Sequence, residues 1–209
     1  MTPKKRIAFC FDLDGTLTRE EILPQIAKKA GIYEEIDLLT KITLQGLITF
    51  DKSFKLRVKL LSTVGIDDVK ETVSRIPIDV NLQRFVQENQ ENCFVVTGNL
   101  DVWVGDFVQE KYGCRMFSSV AQYEGDKLLG IQHIISKHEA IVELRKQFDY
   151  IVAIGDGMND CSMFEIADKG IAFGGVHEPV TSLIKMSDYV CYDGMGLAGL
   201  LNSINRMEL

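Results

Sequence analysis

The stretch IAFCFDLDGTLT, residues 7–18, runs an apolar segment straight into two aspartates, Asp12 and Asp14, and then breaks at Gly15. A run this short and this rich in aromatic residues reads as a buried strand. Ending it on like charges is costly. At about 4 Å, with an effective dielectric near 20, two carboxylates repel by roughly 4 kcal/mol. Something elsewhere in the chain must offset that repulsion, and the ends of the other strands are the place to look.

Five further runs have the same character: CFVVT (93–97), RMFSS (115–119), YIVAI (150–154), GIAF (170–173) and DYVCY (188–192). Helical periodicity fills the gaps, as in DVWVGDFVQEKY (101–112) and KHEAIVELRKQF (137–148). Pro179 suits the first turn of a helix over EPVTSLIKM (178–186). Strand and helix in alternation predict an α/β fold with a parallel sheet covered on both faces. One region breaks the pattern. From about residue 20 to 75 only helical patterns occur, punctuated by Gly31, Gly46 and Gly65 as helix ends. The expected organisation is therefore a core of residues 1–16 and 76–209, with a small helical cap of residues 17–75 inserted after the first strand. GDKLLGI (125–131) suggests a β-hairpin.

Composition narrows the function classes. The chain has 209 residues, 46% hydrophobic and 25% charged, with a formal net charge of -7. That balance suits a globular domain and argues against a nucleic-acid or anionic-membrane partner. Its five cysteines form no CxxC pair, and no apolar segment is long enough to span a bilayer. The expectation is a cytoplasmic protein without structural zinc.

In open parallel sheets, ligands collect outside the carboxyl ends of the strands. The first strand ends on Asp12 and Asp14, the second on Thr97-Gly98-Asn99, and the fourth on GDGMND with Asp156 and Asp160. Four acids on one rim call for a divalent cation, and oxygen ligands without cysteine or histidine point to Mg²⁺. Simpler readings fit less well. DLDG opens a calcium loop poorly, because Thr16 and Leu23 stand where acidic ligands belong, and GDGMND lacks the last glycine of a dinucleotide fingerprint. Either motif alone could mark only a turn.

FDLDGT, VVTGN, Lys137 and AIGDGMND together resemble, in order, the four motifs of the haloacid dehalogenase-like hydrolases. FDKSFKLRVKLL (50–61), DKLLG (126–130) and SMFEIADKGIAFGG (162–175) are similar to the phosphoserine phosphatase branch. The resemblance implies a Rossmann-like core with a helical cap and a Mg²⁺-dependent phosphatase acting on a small phosphorylated metabolite. It makes Asp12 the nucleophile, Asp14 the acid and base, and Thr97 and Lys137 the groups that steady the phosphoryl transfer. It makes Asp156, Asp12 and the carbonyl of Asp14 the metal ligands, with Asn159 and Asp160 behind them. Glu21 would meet a substrate ammonium and Arg57 its carboxylate, with Gly98 and Asn99 close to the substrate. Phe50 reads chiefly as a core residue, and His133, His138 and His177 as surface or hydrogen-bonded.

One departure stands out: the branch usually carries Ser-Gly-Gly where this chain has Thr97-Gly98-Asn99. The hydroxyl is kept, but Asn99 adds a side chain beside the substrate. Phosphoserine is therefore the leading substrate, with another small phosphate ester, transfer to an acceptor alcohol, or a non-catalytic phospho-ligand-binding role as alternatives. Oligomeric state has no signal in the sequence.

Overall fold

In a computed structural model, residues 6–206 are described. The first element is β1 (Ile7–Phe11), buried along its whole length. A tight turn over residues 13–17 follows, with Gly15 at φ +68°. The chain then makes four helices in succession: α1 (Ile22–Ala30), α2 (Tyr33–Leu44), α3 (Phe50–Leu61) and α4 (Ile66–Ser74). After α5 (Val80–Glu88) it returns to alternation, with β2 (Cys93–Leu100), α6 (Asp101–Lys111), β3 (Arg115–Glu124), β4 (Lys127–His133) and α7 (Lys137–Arg145). The remainder is β5 (Tyr150–Gly155), α8 (Cys161–Phe164), β6 (Lys169–Phe173), α9 (Thr181–Met186), β7 (Tyr189–Cys191) and α10 (Gly194–Asn205).

The seven strands form one sheet in the order β4-β3-β2-β1-β5-β6-β7, parallel except for the antiparallel β3–β4 pair. Alternation along β1 sorts the two faces. Phe9 and Phe11 pack with Leu82, Phe85, Trp103 and Leu201 from α5, α6 and α10. Ala8 and Cys10 face the other way, against Ile141 and Leu144 of α7 and Leu183 of α9. Both faces of the sheet are thus covered, which is why its central strands are apolar without interruption.

β1 lies between β2 and β5, where the order of connection reverses, so a crevice opens at its carboxyl end. In register, Phe11 stands opposite both Val95 and Ile154. Asp12, Thr97 and Asp156 therefore leave the sheet within a residue or two of one another. Beyond Val96, β2 bulges, and pairing with β3 resumes only at Leu100 opposite Ser119. The bulge turns Thr97, Gly98 and Asn99 toward the crevice, and the Ser119 hydroxyl fixes it by donating to the Gly98 carbonyl at 2.8 Å.

The helical segment is fastened to the core in several places. Its outgoing and returning strands run side by side, with an antiparallel bridge between Thr18 and Ile78 and an Arg19 N–H donating to the Pro77 carbonyl at 2.8 Å. The turn between β3 and β4 reaches across as well. There the Asp126 carboxylate accepts from the Asp67 N–H at 2.7 Å, and the Asp126 carbonyl from that of Ile66 at 2.9 Å. Ile22, Ile26, Phe54 and Val58 of the helices share one continuous apolar cluster with Phe9 and Phe11 of the sheet.

Three local expectations are corrected. Pro179 lies outside α9, which starts at Thr181, because the Val180 N–H turns back to the Asp156 carbonyl. Gly65 opens α4 instead of ending α3. β3 and β4 are longer than the hydrophobic runs that signal them, since their largely polar distal halves pair with each other and bury few residues, among them Ala121 and Leu128.

Candidate active site

Asp12 follows β1 directly, and its N–H donates to the Ile154 carbonyl at 2.9 Å. Its carboxylate is buried and meets Lys137, whose Nζ lies 2.6 Å from Asp12 Oδ1 and 2.6 Å from Asp160 Oδ1. Lys137 opens α7 just after Ser136, whose side chain caps the helix by accepting from the Glu139 N–H. Burial alone would lower the Lys137 pKa, but Asp12 and Asp160 outweigh it and push it up, so the ammonium stays charged. The second oxygen of Asp160 accepts from the N–H groups of Asp156 and Gly157, at 3.0 and 2.9 Å. Asp160 is thus fully occupied in holding the Asp156 loop and Lys137 in place.

Asp14 has different neighbours. Its Oδ1 accepts from the Ile22 N–H at 2.9 Å, at the start of α1, and its Oδ2 accepts from the Asn99 side-chain amide. Burial first, then the Glu21 carboxylate, push its pKa up to about 7 against the pull of Arg57 and Lys137. Thr97 is buried, and its hydroxyl accepts from the Asn99 N–H at 3.2 Å.

Asp156 is the anomaly. Both of its carboxylate oxygens are buried without a hydrogen-bond partner. Burial and the nearby Asp160, Glu21 and Asp12 carboxylates hold its pKa well above the usual range. A buried carboxylate left this way is expensive unless a cation meets it. One oxygen from each of Asp12, Asp156 and Asp160 falls within a common 4.8 Å. An all-carboxylate set around an unpartnered acid fits a hard divalent cation. Gly15 leaves the room required, since a Cβ there would stand 2.7 Å from Asp156 Oδ2.

On the helical side, a cavity of about 50 Å³ is lined by Asp12, Asp14, Glu21, Arg57, Gly98, Asn99 and Asn159, with Phe50, Phe54, Thr40 and Leu44 among its walls. A wider space of about 410 Å³, bordered by Lys137, Met158 and Ser162, adjoins it at Phe50, Gly98 and Asn159. Arg57 is buried; its Nη1 donates to the Thr40 hydroxyl at 3.0 Å, and its Nε has no partner. Phe50 stacks on Phe54 and covers Gly98 so closely that a Cβ there would lie 2.2 Å from its ring. It is therefore a cavity wall, and only glycine fits beneath it.

The structure brings Asp12, Asp14, Glu21, Arg57, Thr97, Gly98, Asn99, Lys137, Asp156, Asn159 and Asp160 to this one place, and leaves His133 away from it at the end of β4. Asn159 lines the cavity, while Asp160 takes the lysine. Sequence reading missed Thr40 and Ser119, which support Arg57 and the β2 bulge, and the contact of His177 with Glu21 at 3.2 Å. No local pattern signals these partners, because each meets its mate only through the fold.

A profile of the haloacid dehalogenase-like hydrolases matches residues 9–165. The chain belongs to that family. The phosphoserine phosphatase of Methanocaldococcus jannaschii is 32% identical over 81% of this chain and 86% of its own length. A solved substrate-bound phosphoserine phosphatase complex superposes with a TM-score of 0.82 at 29% identity, covering 96% of this chain and 98% of that one. A phospho-aspartyl intermediate analogue of phosphoserine phosphatase gives 0.81 at 29% identity, covering 96% and 99%. The expected resemblance and fold class, including its phosphatase branch, are borne out. Among the described residues, no helix is long and apolar enough to cross a membrane.

Proposed function

We propose that this haloacid dehalogenase-like hydrolase is a Mg²⁺-dependent phosphatase that cleaves O-phosphoserine or a closely similar small phosphate ester through an aspartyl-phosphate. The observation that carries the reading is the separation of two carboxylates two residues apart. Asp12 is bound by the Lys137 ammonium, whereas Asp14 is held by neutral N–H donors. Lys137 occupies Asp12 Oδ1, leaving Oδ2 to attack phosphorus. As the Asp12–phosphorus bond forms, the ester P–O bond breaks and Asp14 gives its proton to the leaving oxygen. Water then attacks phosphorus, its proton returns to Asp14, and the Asp12–phosphorus bond breaks to release phosphate. Thr97 would donate its hydroxyl to a phosphoryl oxygen, beside the N–H groups of the bulge. Asp12, Asp156 and the carbonyl of Asp14 would hold Mg²⁺, which when bound supplies positive charge to the phosphoryl oxygens.

In this reading residues 17–75 act as a cap that selects the substrate. Glu21 receives its ammonium, and the open Nε edge of Arg57 its carboxylate, by the fork that suits a carboxylate. The names of the relatives support phosphoserine, and the Asn99 departure keeps similar esters in contention. The test is phosphate release from O-phosphoserine and a panel of small phosphate esters with Mg²⁺ present. Asp12→Asn should abolish release while the thermal transition persists; undiminished turnover in that variant would overturn the mechanism.

A further inference from the structure

Glu21 stands just before α1 and lines the cavity, and its Oε1 is buried without a hydrogen-bond partner. Among the described residues, the cationic side chain within ion-pair reach of it is His177, with Nε2 at 3.2 Å. His177 sits on the connection between β6 and α9, which is pinned at both ends. The Gly174 N–H donates to the Cys191 carbonyl at 2.8 Å, and the Val180 N–H to the Asp156 carbonyl at 3.3 Å. A rigid core loop therefore presents an imidazole to the carboxylate of the helical side. The other charged groups facing His177 are Asp37 and Lys41 of α2, which pair with each other at 2.7 Å. The Glu21 carboxylate beside it, opposed by burial, raises the His177 pKa from its ordinary value.

We infer that His177 sets the cavity's selectivity for an ammonium group by competing with it for Glu21. The inference rests on the proposed reading of Glu21 as the ammonium site. An imidazolium and a ligand ammonium on one buried carboxylate repel each other, and only one can have its full attraction. When His177 loses its proton, the repulsion ends and the neutral ring leaves Glu21 to the ligand. Below the raised midpoint of His177 the cavity is thus indifferent to the amine, and above it the cavity selects phosphorylated amino acids over phosphorylated hydroxy or simple acids.

The experiment compares kcat/KM for O-phosphoserine with that for its des-amino analogue, 3-phosphooxypropionate. Phosphate ionisation and the Asp14 proton affect both esters alike and cancel in the ratio. The wild-type ratio should rise by about threefold between about pH 5.5 and about pH 8.5, a span that brackets the raised midpoint, on the scale of a half-exposed ion pair. In His177→Gln it should be flat and high, and in His177→Lys, which keeps the charge, flat and low. A His177→Gln ratio that follows the wild-type curve overturns the inference. If neither ester is hydrolysed by wild type, the phosphoserine reading fails separately. The pairing is then read by the NMR titration of the His177 ring. Glu21→Gln should lower its midpoint, and an unchanged midpoint overturns the inference in that case too.

Discussion

At the rim of the sheet, Lys137 is clamped between Asp12 and Asp160, and Asp160 spends its remaining oxygen on two backbone N–H groups. Across the same cavity, Arg57 has one hydroxyl partner and an open Nε, and Glu21 meets only an imidazole that is itself half in solvent. The two walls face one space but are finished to different degrees. At the rim Lys137, Asp14 and Asp160 are each fixed by more than one bond, as a reaction needing preorganised charge requires, and the Asp156 carboxylate is left for a cation. The helical wall holds polar groups in reserve, as a surface that must exchange one ligand for another requires.

Three perturbations test that contrast. The largest effect should come from Lys137→Met, which strands two buried carboxylates. It should cost about 3–5 kcal/mol in chemical denaturation without metal and abolish phosphate release. A cost below about 1 kcal/mol would mean the rim is not over-determined. Next is Arg57→Lys, which keeps the charge and loses the fork. KM for O-phosphoserine should rise by about tenfold, with kcat and stability little changed. A stability loss matching that of Lys137→Met would erase the distinction between the walls. The smallest effect concerns pH. The raised pKa of Asp14 means that the folded protein binds its proton more tightly than the unfolded chain does. Its stabilising contribution is therefore complete below the ordinary carboxylate value and lost as pH rises through about 7. Metal-free protein should melt a few degrees lower at about pH 8 than at about pH 5, and Asp14→Asn should reduce that slope. Asp12 and Asp156 shift in the same direction, so a slope of opposite sign would contradict the burial of the whole cluster.

β1 was legible because a short apolar run ending on two charges has few physical explanations. The acids at the ends of β1 and β5 were legible because parallel strands deliver their carboxyl ends to one rim. Lys137 was legible only through motif order, since a lysine at the start of a helix is ordinarily solvated. In the outer halves of β3 and β4 few residues, among them Ala121 and Leu128, are buried, so their alternation is weak and their length was missed. Asn99 was expected beside the substrate; it lines the cavity, and its amide also reaches the Asp14 carboxylate, an outcome of the β2 bulge that no local pattern encodes. Arg57 with Thr40 and Glu21 with His177 are pairs made by tertiary packing alone.

The bridge between Thr18 and Ile78 has a further consequence for the history of such a chain. Because the segment leaves and returns through neighbouring strands, the sheet meets it as a loop whose ends are already together. Loop-closure entropy grows only slowly with length, by about 0.6 kcal/mol for each doubling. A longer, shorter or foreign segment can be spliced between those two points with little penalty from chain connectivity. What resists exchange is the apolar cluster that Ile22, Ile26 and Phe54 share with the sheet. Grafting the segment from a relative should thus succeed or fail on how well that seam is repacked.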